Sequence, residues 1–383
     1  MNQQLRELKP YPMLRLDELK KEALDAGLTI YDFGTGDPRE PTPGFIREAC
    51  QAGLAEVSQY PKINGLPEMR RAAAGYLEHR FGQSLDPDSE ILPTQGSKEA
   101  IFHLPMVVVD PDSSRRRVVY GEPAYPVFEI GALFASAQTH PVALNAGNSY
   151  LMEPESIGAE VLRETALVFL NYPHNPTGQL MPEDAFRAWV SARDEYGFVL
   201  VSDECYADLY YEEPPRSLLE FGREGCLAVH SLSKRSGMTG YRSGFVAGDP
   251  ELIQWYAKFR AGMGLAPTDM VQEAAVVAWS ETEHVAERRD LFKAKRQVLL
   301  DLFAELDLTV YPGSSTLFLW VEVPSGKTDH GYVEQLLKDG ILCSPGSFFG
   351  EGQEAFFRLA LVPTLEQCKK AAALWPRNRT WND

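Results

Sequence analysis

Ala166-Leu167-Val168-Phe169-Leu170 runs straight into Asn171-Tyr172-Pro173-His174-Asn175-Pro176-Thr177-Gly178, and further on Phe198-Val199-Leu200-Val201-Ser202 runs into Asp203-Glu204-Cys205-Tyr206. Each is a short apolar run that stops abruptly in polar or turn-forming residues. Between them Pro182 to Tyr196 reads as a helix with proline at its start, where a missing N–H costs nothing. An apolar strand, a helix and a second apolar strand describe a crossover that leaves the two strands parallel and covered on both faces. Arg117–Tyr120, Leu227–His230 and Gly244–Ala247 read as further strands of the same kind. The fold class is therefore α/β, with a mainly parallel central sheet.

Outward from this centre, helices are expected over Phe45–Val57 and Pro67–Phe81, and the chain turns strongly helical from Pro250 to about Leu306. A β-rich piece follows (Leu308–Tyr311, Leu317–Val323), then a helix over Tyr332–Lys338, a strand near Phe356–Leu361 and a terminal helix. The opening stretch to about Pro43 reads as turn-rich, with Lys9-Pro10-Tyr11-Pro12, Gly34-Thr35-Gly36-Asp37-Pro38 and Pro41-Thr42-Pro43. This pattern divides the chain into a large α/β lobe over residues 46–285 and a smaller α+β lobe built from residues 1–45 and 286–383.

The 383 residues carry 37 Lys+Arg against 54 Asp+Glu, a formal charge of −17. That surplus argues against a nucleic-acid partner, which needs clustered cations. It leaves room for a local basic pocket. Five scattered cysteines without a CxxC read as reduced thiols, and no apolar run approaches the ~20 residues of a membrane span, so a cytoplasmic location and no membrane partner are expected. The seven histidines form no HExxH or Cys/His group, so no metal site is expected.

Ligands of open parallel sheets sit beyond the carboxyl ends of the strands. Asn175, Asp203 and Ser231-Leu232-Ser233-Lys234 all fall there, with Arg242 shortly after. Singly, Asn-Pro-Thr-Gly is a turn, Asp203-Glu204 a helix cap, and Lys234-Arg235 a solvated pair. Their convergence on one edge is the signal. Arg358 lies inside Phe356-Phe357-Arg358-Leu359-Ala360-Leu361, and an arginine in such a strand needs an anion, from either a structural ion pair or a substrate carboxylate. The SxxK of Ser231–Lys234 also occurs in penicillin-recognising serine enzymes. Its companion elements are missing here, because Ser202-Asp203-Glu204 precedes it and Lys327-Thr328-Asp329 does not fit. Neither GxGxxG nor GxxxxGK[ST] occurs, which removes the signatures of dinucleotide and P-loop sites.

Over nearly its whole length the sequence resembles fold-type I pyridoxal-phosphate (PLP) enzymes of the class I/II aminotransferases. Ser231 through Gly240-Tyr241-Arg242-Ser243-Gly244 matches that family's cofactor-lysine signature, preceded in order by Asn175–Gly178 and Asp203–Tyr206. The resemblance implies an aspartate aminotransferase-like fold and an exchange of amino groups between an amino-acid donor and a 2-oxo acid acceptor, with 2-oxoglutarate the expected acceptor. It implies that Lys234 holds the cofactor covalently and shuttles a proton, that Asp203 pairs with the ring nitrogen, and that Asn175 and Tyr206 bond the ring oxygen. Ser231, Arg242 and the Gly96-Ser97-Lys98 loop would take the phosphate, and Tyr125 would stack on the ring. Gly36, Asn175 and Arg358 would meet the substrate carboxylate. Tyr60 would reach the phosphate of a neighbouring subunit, which implies a homodimer. Within the family, the stretches around Lys234, Gly244–Pro250 and Ser202–Tyr206 look most similar to succinyldiaminopimelate transaminases of lysine and diaminopimelate biosynthesis. Aspartate, alanine and LL-diaminopimelate aminotransferases are the alternatives, as is a PLP-dependent C–S lyase.

Overall fold

The computed structural model describes residues 12–377 and, ahead of them, residues 5, 6 and 8. Its strands are β1 (Tyr31–Asp32), β2 (Ile91–Thr94), β3 (Arg117–Glu122), β4 (Gln138–Ala143), β5 (Thr165–Asn171), β6 (Val199–Asp203), β7 (Cys226–Ser231), β8 (Gly244–Gly248), β9 (Phe318–Glu322), β10 (Ile341–Leu342), β11 (Ser344–Pro345) and β12 (Phe356–Ala360). Seven of them form one sheet in the order β2-β8-β7-β6-β5-β3-β4. β8 runs antiparallel to both its neighbours, and the other pairings are parallel.

Alternation along the central strands sends successive side chains to opposite faces. Val168, Leu170, Leu200 and Ala228 join one buried cluster with residues of the helices Pro67–Phe81, Glu183–Tyr196 and Asp269–Ser280. Leu167, Phe169, Val201 and Val229 join another, with the helices Ser97–Val108, Val127–Phe134 and Pro250–Met263. A third cluster gathers Phe292, Leu299 and Phe303 of the long helix Glu283–Glu305 against β9 and β12. There β12 lies between β11 and β9, both antiparallel to it, while β1 pairs with β10 in parallel.

Several expectations need correction. β2 and β4 are absent from the sequence reading because each contains a proline (Pro93, Pro141), and both are the outer strands, where a lost N–H is tolerated. The opening stretch is not all turn: Pro12–Asp25 is a helix that buries Leu16 and Ala23, a narrow apolar stripe among charges. The Lys9-Pro10-Tyr11 part of the expected turn lies outside the described residues. The helix expected over Phe45–Val57 spans Gly44–Ala52, and Gly53 ends it beside Met270, where a Cβ would come within 2.8 Å of backbone. Leu308–Tyr311 is no strand but a single bridge, Val310 to Val321. Among the described residues no helix is long and apolar enough to cross a membrane, and no group of His, Cys, Asp and Glu could hold a metal.

Leu200 is fully buried at the middle of β6. Leu200→Ala is predicted to lower stability by about 2–5 kcal/mol, measured by urea unfolding.

Candidate active site

The sheet's direction gathers the polar residues. β5, β6 and β7 end at Asn171, Asp203 and Ser231, and Tyr125 follows β3. β2 points the same way and leads to Gly96-Ser97-Lys98. Because β8 is reversed, its start, Gly244, lies beside Thr94 and Ser231, which brings Arg242 to the same edge. A cavity of about 570 Å³ opens there, lined by Gly36, Ser97, Lys98, Tyr125, Asn175, Asp203, Tyr206, Ser231, Lys234, Arg242 and Arg358 among others. Gly96 is not among the lining residues but directly precedes Ser97, which is. Tyr60 is not brought to the cavity by its own chain and is fully exposed to solvent.

Lys234 sits in a short helical turn, Leu232–Arg235, whose start is capped by Ser231 accepting from the Ser233 N–H. Its amine donates to the Gly36 carbonyl. Although the residue as a whole is half-buried, burial of the amine pulls its pKa down to about 8; Cys205 and Asp37 oppose this, and Arg358 and Arg242 reinforce it. On the next strand Asp203 is buried, and burial pushes its carboxyl up to about 6. Its hydrogen bonds are local, from Cys205, whose N–H lies at 3.3 Å. No ion pair to it is found among the described residues. A buried carboxylate at the back of a cavity, lacking a cation of its own, fits the protonated ring nitrogen of PLP.

The phosphate end fits as well. Gly96 (φ +84°) precedes the helix Ser97–Val108, so no side chain at that position covers the first helical N–H groups, which can receive an anion. A Cβ on Gly96 would lie 2.7 Å from Arg242 Nη2. Arg242 is exposed and itself left-handed (φ +56°), and it donates to the carbonyls of Thr239 at 2.9 Å and Gln95 at 3.2 Å. Lys98 Nζ stands 5.9 Å from the Tyr125 ring centre.

Arg358 comes from the other sheet. From β12 it donates to Asn175 Oδ1 (3.0 Å) and to the Gly34 carbonyl (2.8 Å), and its guanidinium lies between the rings of Phe318 and Phe349, at 4.2 and 4.3 Å. The structure thus joins Arg358 to Asn175 across 183 residues of chain. Sequence reasoning did not single out Phe318, Phe349, Asn171 or Asp37, which also line the cavity. Two phenylalanines among 19 carry no local mark, and only their packing against a buried guanidinium reveals them.

A lysine amine, a back-wall carboxylate and a phosphate cradle on one edge of a mainly parallel sheet define a PLP-dependent transferase of the aspartate aminotransferase-like fold. The chain belongs to the aminotransferases of class I and II: the model of that family matches residues 29–374. It is 34% identical to an LL-diaminopimelate aminotransferase of Aquifex aeolicus over 375 residues, 96% of each chain. Among solved structures it is similar to the aspartate aminotransferase of Thermus thermophilus with maleate (26% identity, 98% of each chain, TM-score 0.89). It is also similar to a probable N-succinyldiaminopimelate aminotransferase of the same organism (27% identity, 94% of this chain and 98% of that one, TM-score 0.87). The protein is a PLP-dependent aminotransferase with amino-acid and 2-oxo-acid substrates.

The phosphate cradle and the back-wall carboxylate can each be probed by one substitution. Gly96→Ala forces a side chain into a left-handed backbone and against Arg242, and is expected to weaken PLP affinity about tenfold or more, read by titrating the visible band. Gly82→Ala, also at positive φ but in open space, is the control and leaves affinity unchanged. In the cofactor-free chain, Asp203 binds its proton more tightly folded than unfolded, so its own contribution to stability is fully present below pH 3.8 and is lost as pH rises through about 6. Asp203→Asn removes that decline, about 3 kcal/mol in urea unfolding across the window.

Proposed function

We propose that this enzyme transaminates a donor of the diaminopimelate class with 2-oxoglutarate as acceptor, and that LL-diaminopimelate itself is the preferred donor. The local motifs favour the N-succinyl form. The observation that carries the unblocked donor is the match over 96% of both chains to a relative named for it. Asp37 on the cavity wall agrees, since a carboxylate suits a free distal ammonium better than a succinylated nitrogen. The named N-succinyldiaminopimelate neighbour is less similar, at 27% identity. The N-succinyl donor is the second reading.

When bound, PLP supplies a carbonyl carbon that takes the amine and an electron-poor ring that absorbs negative charge from the substrate Cα. The remaining work falls to the chain. Ser231, Arg242 and the N–H groups of Ser97 and Lys98 would hold the phosphate, and Tyr125 would pack against the ring. Asp203 would pair with the protonated ring nitrogen, and Asn175 and Tyr206 would bond the ring oxygen. Arg358, flanked by the Phe318 and Phe349 rings and aligned by Asn175, would fork onto the α-carboxylate beside Gly36. Lys234 Nζ would be the group that takes the Cα proton and returns it to the carbon that has accepted the amine. With a pKa near 8, roughly a tenth of the amine is already unprotonated at pH 7. Held within reach of both carbons, it needs no diffusing base.

The same reading includes a cytoplasmic homodimer, with the partner subunit's Tyr60 completing each phosphate site. It divides the chain at residues 46 and 285 into a cofactor lobe and a lobe made from both ends.

Two measurements test it. Lys234→Ala is expected to bind PLP yet lose at least about 10³-fold in turnover; normal turnover would overturn the assignment. In a donor panel with 2-oxoglutarate, glutamate formation should show its highest kcat/KM with LL-diaminopimelate. A preference for aspartate or an aromatic donor would overturn the substrate reading, and pyruvate release without an acceptor would point to a lyase.

A further inference from the structure

Behind the site, on the reverse side of the same two strands, lies a pair that the mechanism does not use. Asp203 and Ser231 line the cavity, so strand alternation turns their neighbours Glu204 and His230 into the core. The two side chains are 0% and 2% exposed, and Glu204 Oε2 lies 3.4 Å from His230 Nε2. Neither atom has a hydrogen-bond partner elsewhere among the described residues. Glu204 is otherwise tied down: its Oε1 accepts from the Leu218 N–H at 2.9 Å, and its own N–H donates to the Val229 carbonyl of β7 at 2.9 Å.

The surroundings decide which charge state fits. Glu204 is faced by the Ser202 and Ser217 hydroxyls and by the Glu220 carboxylate, with no lysine or arginine paired to it among the described residues. His230 is enclosed by the rings of Tyr76, Phe81 and Phe245, with centroids 5.6, 5.8 and 5.0 Å away. The charges near it are Asp208, Arg80 and Arg235. Asp208 is already committed to Arg235 at 2.8 Å and Arg80 at 3.3 Å. Two separate ions here would each forfeit hydration, whereas one proton between carboxyl and imidazole satisfies both atoms without net charge.

We propose that Glu204 and His230 share a single proton as a neutral hydrogen-bonded pair that fastens β6 to β7 directly behind Asp203 and Ser231, making Glu204 a positioning residue for the cofactor-binding edge. Burial acts in the matching direction on both, pushing Glu204 up to about 7 and His230 down to about 3. The proton balance is internal. Between pH 4.5 and 6.5 the unfolded chain carries the proton on the imidazole; folding transfers it to the carboxyl oxygen, and none is exchanged with solvent. The pair therefore adds no slope to stability across that window, while either partner alone would.

The inference rests on the assignment of Asp203 and Ser231 to the cofactor, and the test keeps the two apart. In the full-length holoenzyme at pH 6, infrared difference spectra of wild type against Glu204→Gln should show the C=O band of a protonated carboxylic acid, and ¹⁵N shifts should report a neutral His230 ring. Glu204→Gln, which can still donate to Nε2, is expected to keep PLP affinity within about twofold. Glu204→Met fills the space without the hydrogen bond and is expected to weaken it about tenfold. Relative to wild type, Glu204→Gln should gain stability in urea as pH rises from 4.5 to 6.5, because His230 must then be stripped of its proton alone. An ionised carboxylate with a charged imidazole would overturn the neutral pair, and unchanged PLP affinity in Glu204→Met would overturn its positioning role. Unchanged affinity in Asp203→Asn would instead overturn the cofactor assignment.

Discussion

Asp203 is buried and Lys234 half-buried at one edge of one sheet, and neither forms an ion pair among the described residues. Withdrawing a carboxyl and much of an amine from water without a counter-ion costs stability, and the fold must offset it elsewhere. The central strands do so by burying both faces of the sheet, so that the edge is rigid where the charges stand. The same desolvation gives each group its use. It moves the amine toward neutrality, as a proton acceptor requires, and leaves the carboxyl in need of the cation a pyridine ring provides.

The charge distribution is two-sided. The whole chain is strongly acidic, yet its cavity draws Lys98, Lys234, Arg242 and Arg358 to one place. Net charge therefore describes the chain as a whole, while the local field in the cavity suits a phosphate and a carboxylate. Arg358 shows how such a field is built at low cost. Its guanidinium is flanked by two phenylalanine rings and directed by an amide oxygen and a backbone carbonyl, which orient the fork.

Much of this was legible from residue order. Apolar runs that end in polar turns mark β5, β6 and β7, and the residues just past them include Asn175, Asp203, Ser231 and Lys234. What escaped the sequence has physical causes. β2 and β4 contain prolines that argue against strands, yet edge strands tolerate them. The helix Pro12–Asp25 hides its buried Leu16 and Ala23 among charged residues. Phe318 and Phe349 look like ordinary core residues, because an aromatic side chain has no local sign that distinguishes packing against aliphatics from flanking an arginine.

The sequence alone determined the chemistry available: an apolar-strand and helix alternation that must stack as a parallel sheet, a lysine, a carboxylate, an amide and an arginine just past the ends of its segments, and a second arginine inside an apolar strand. Those are local properties, set by periodicity and by side-chain type. Only the tertiary structure decided which of them meet. The reversed direction of β8 brings Arg242 beside Gly96, the second sheet carries Arg358 to Asn175, and strand alternation sets Glu204 against His230 behind the site. Each depends on contacts between residues far apart in the chain, where direction and register, and no local pattern, select the neighbour.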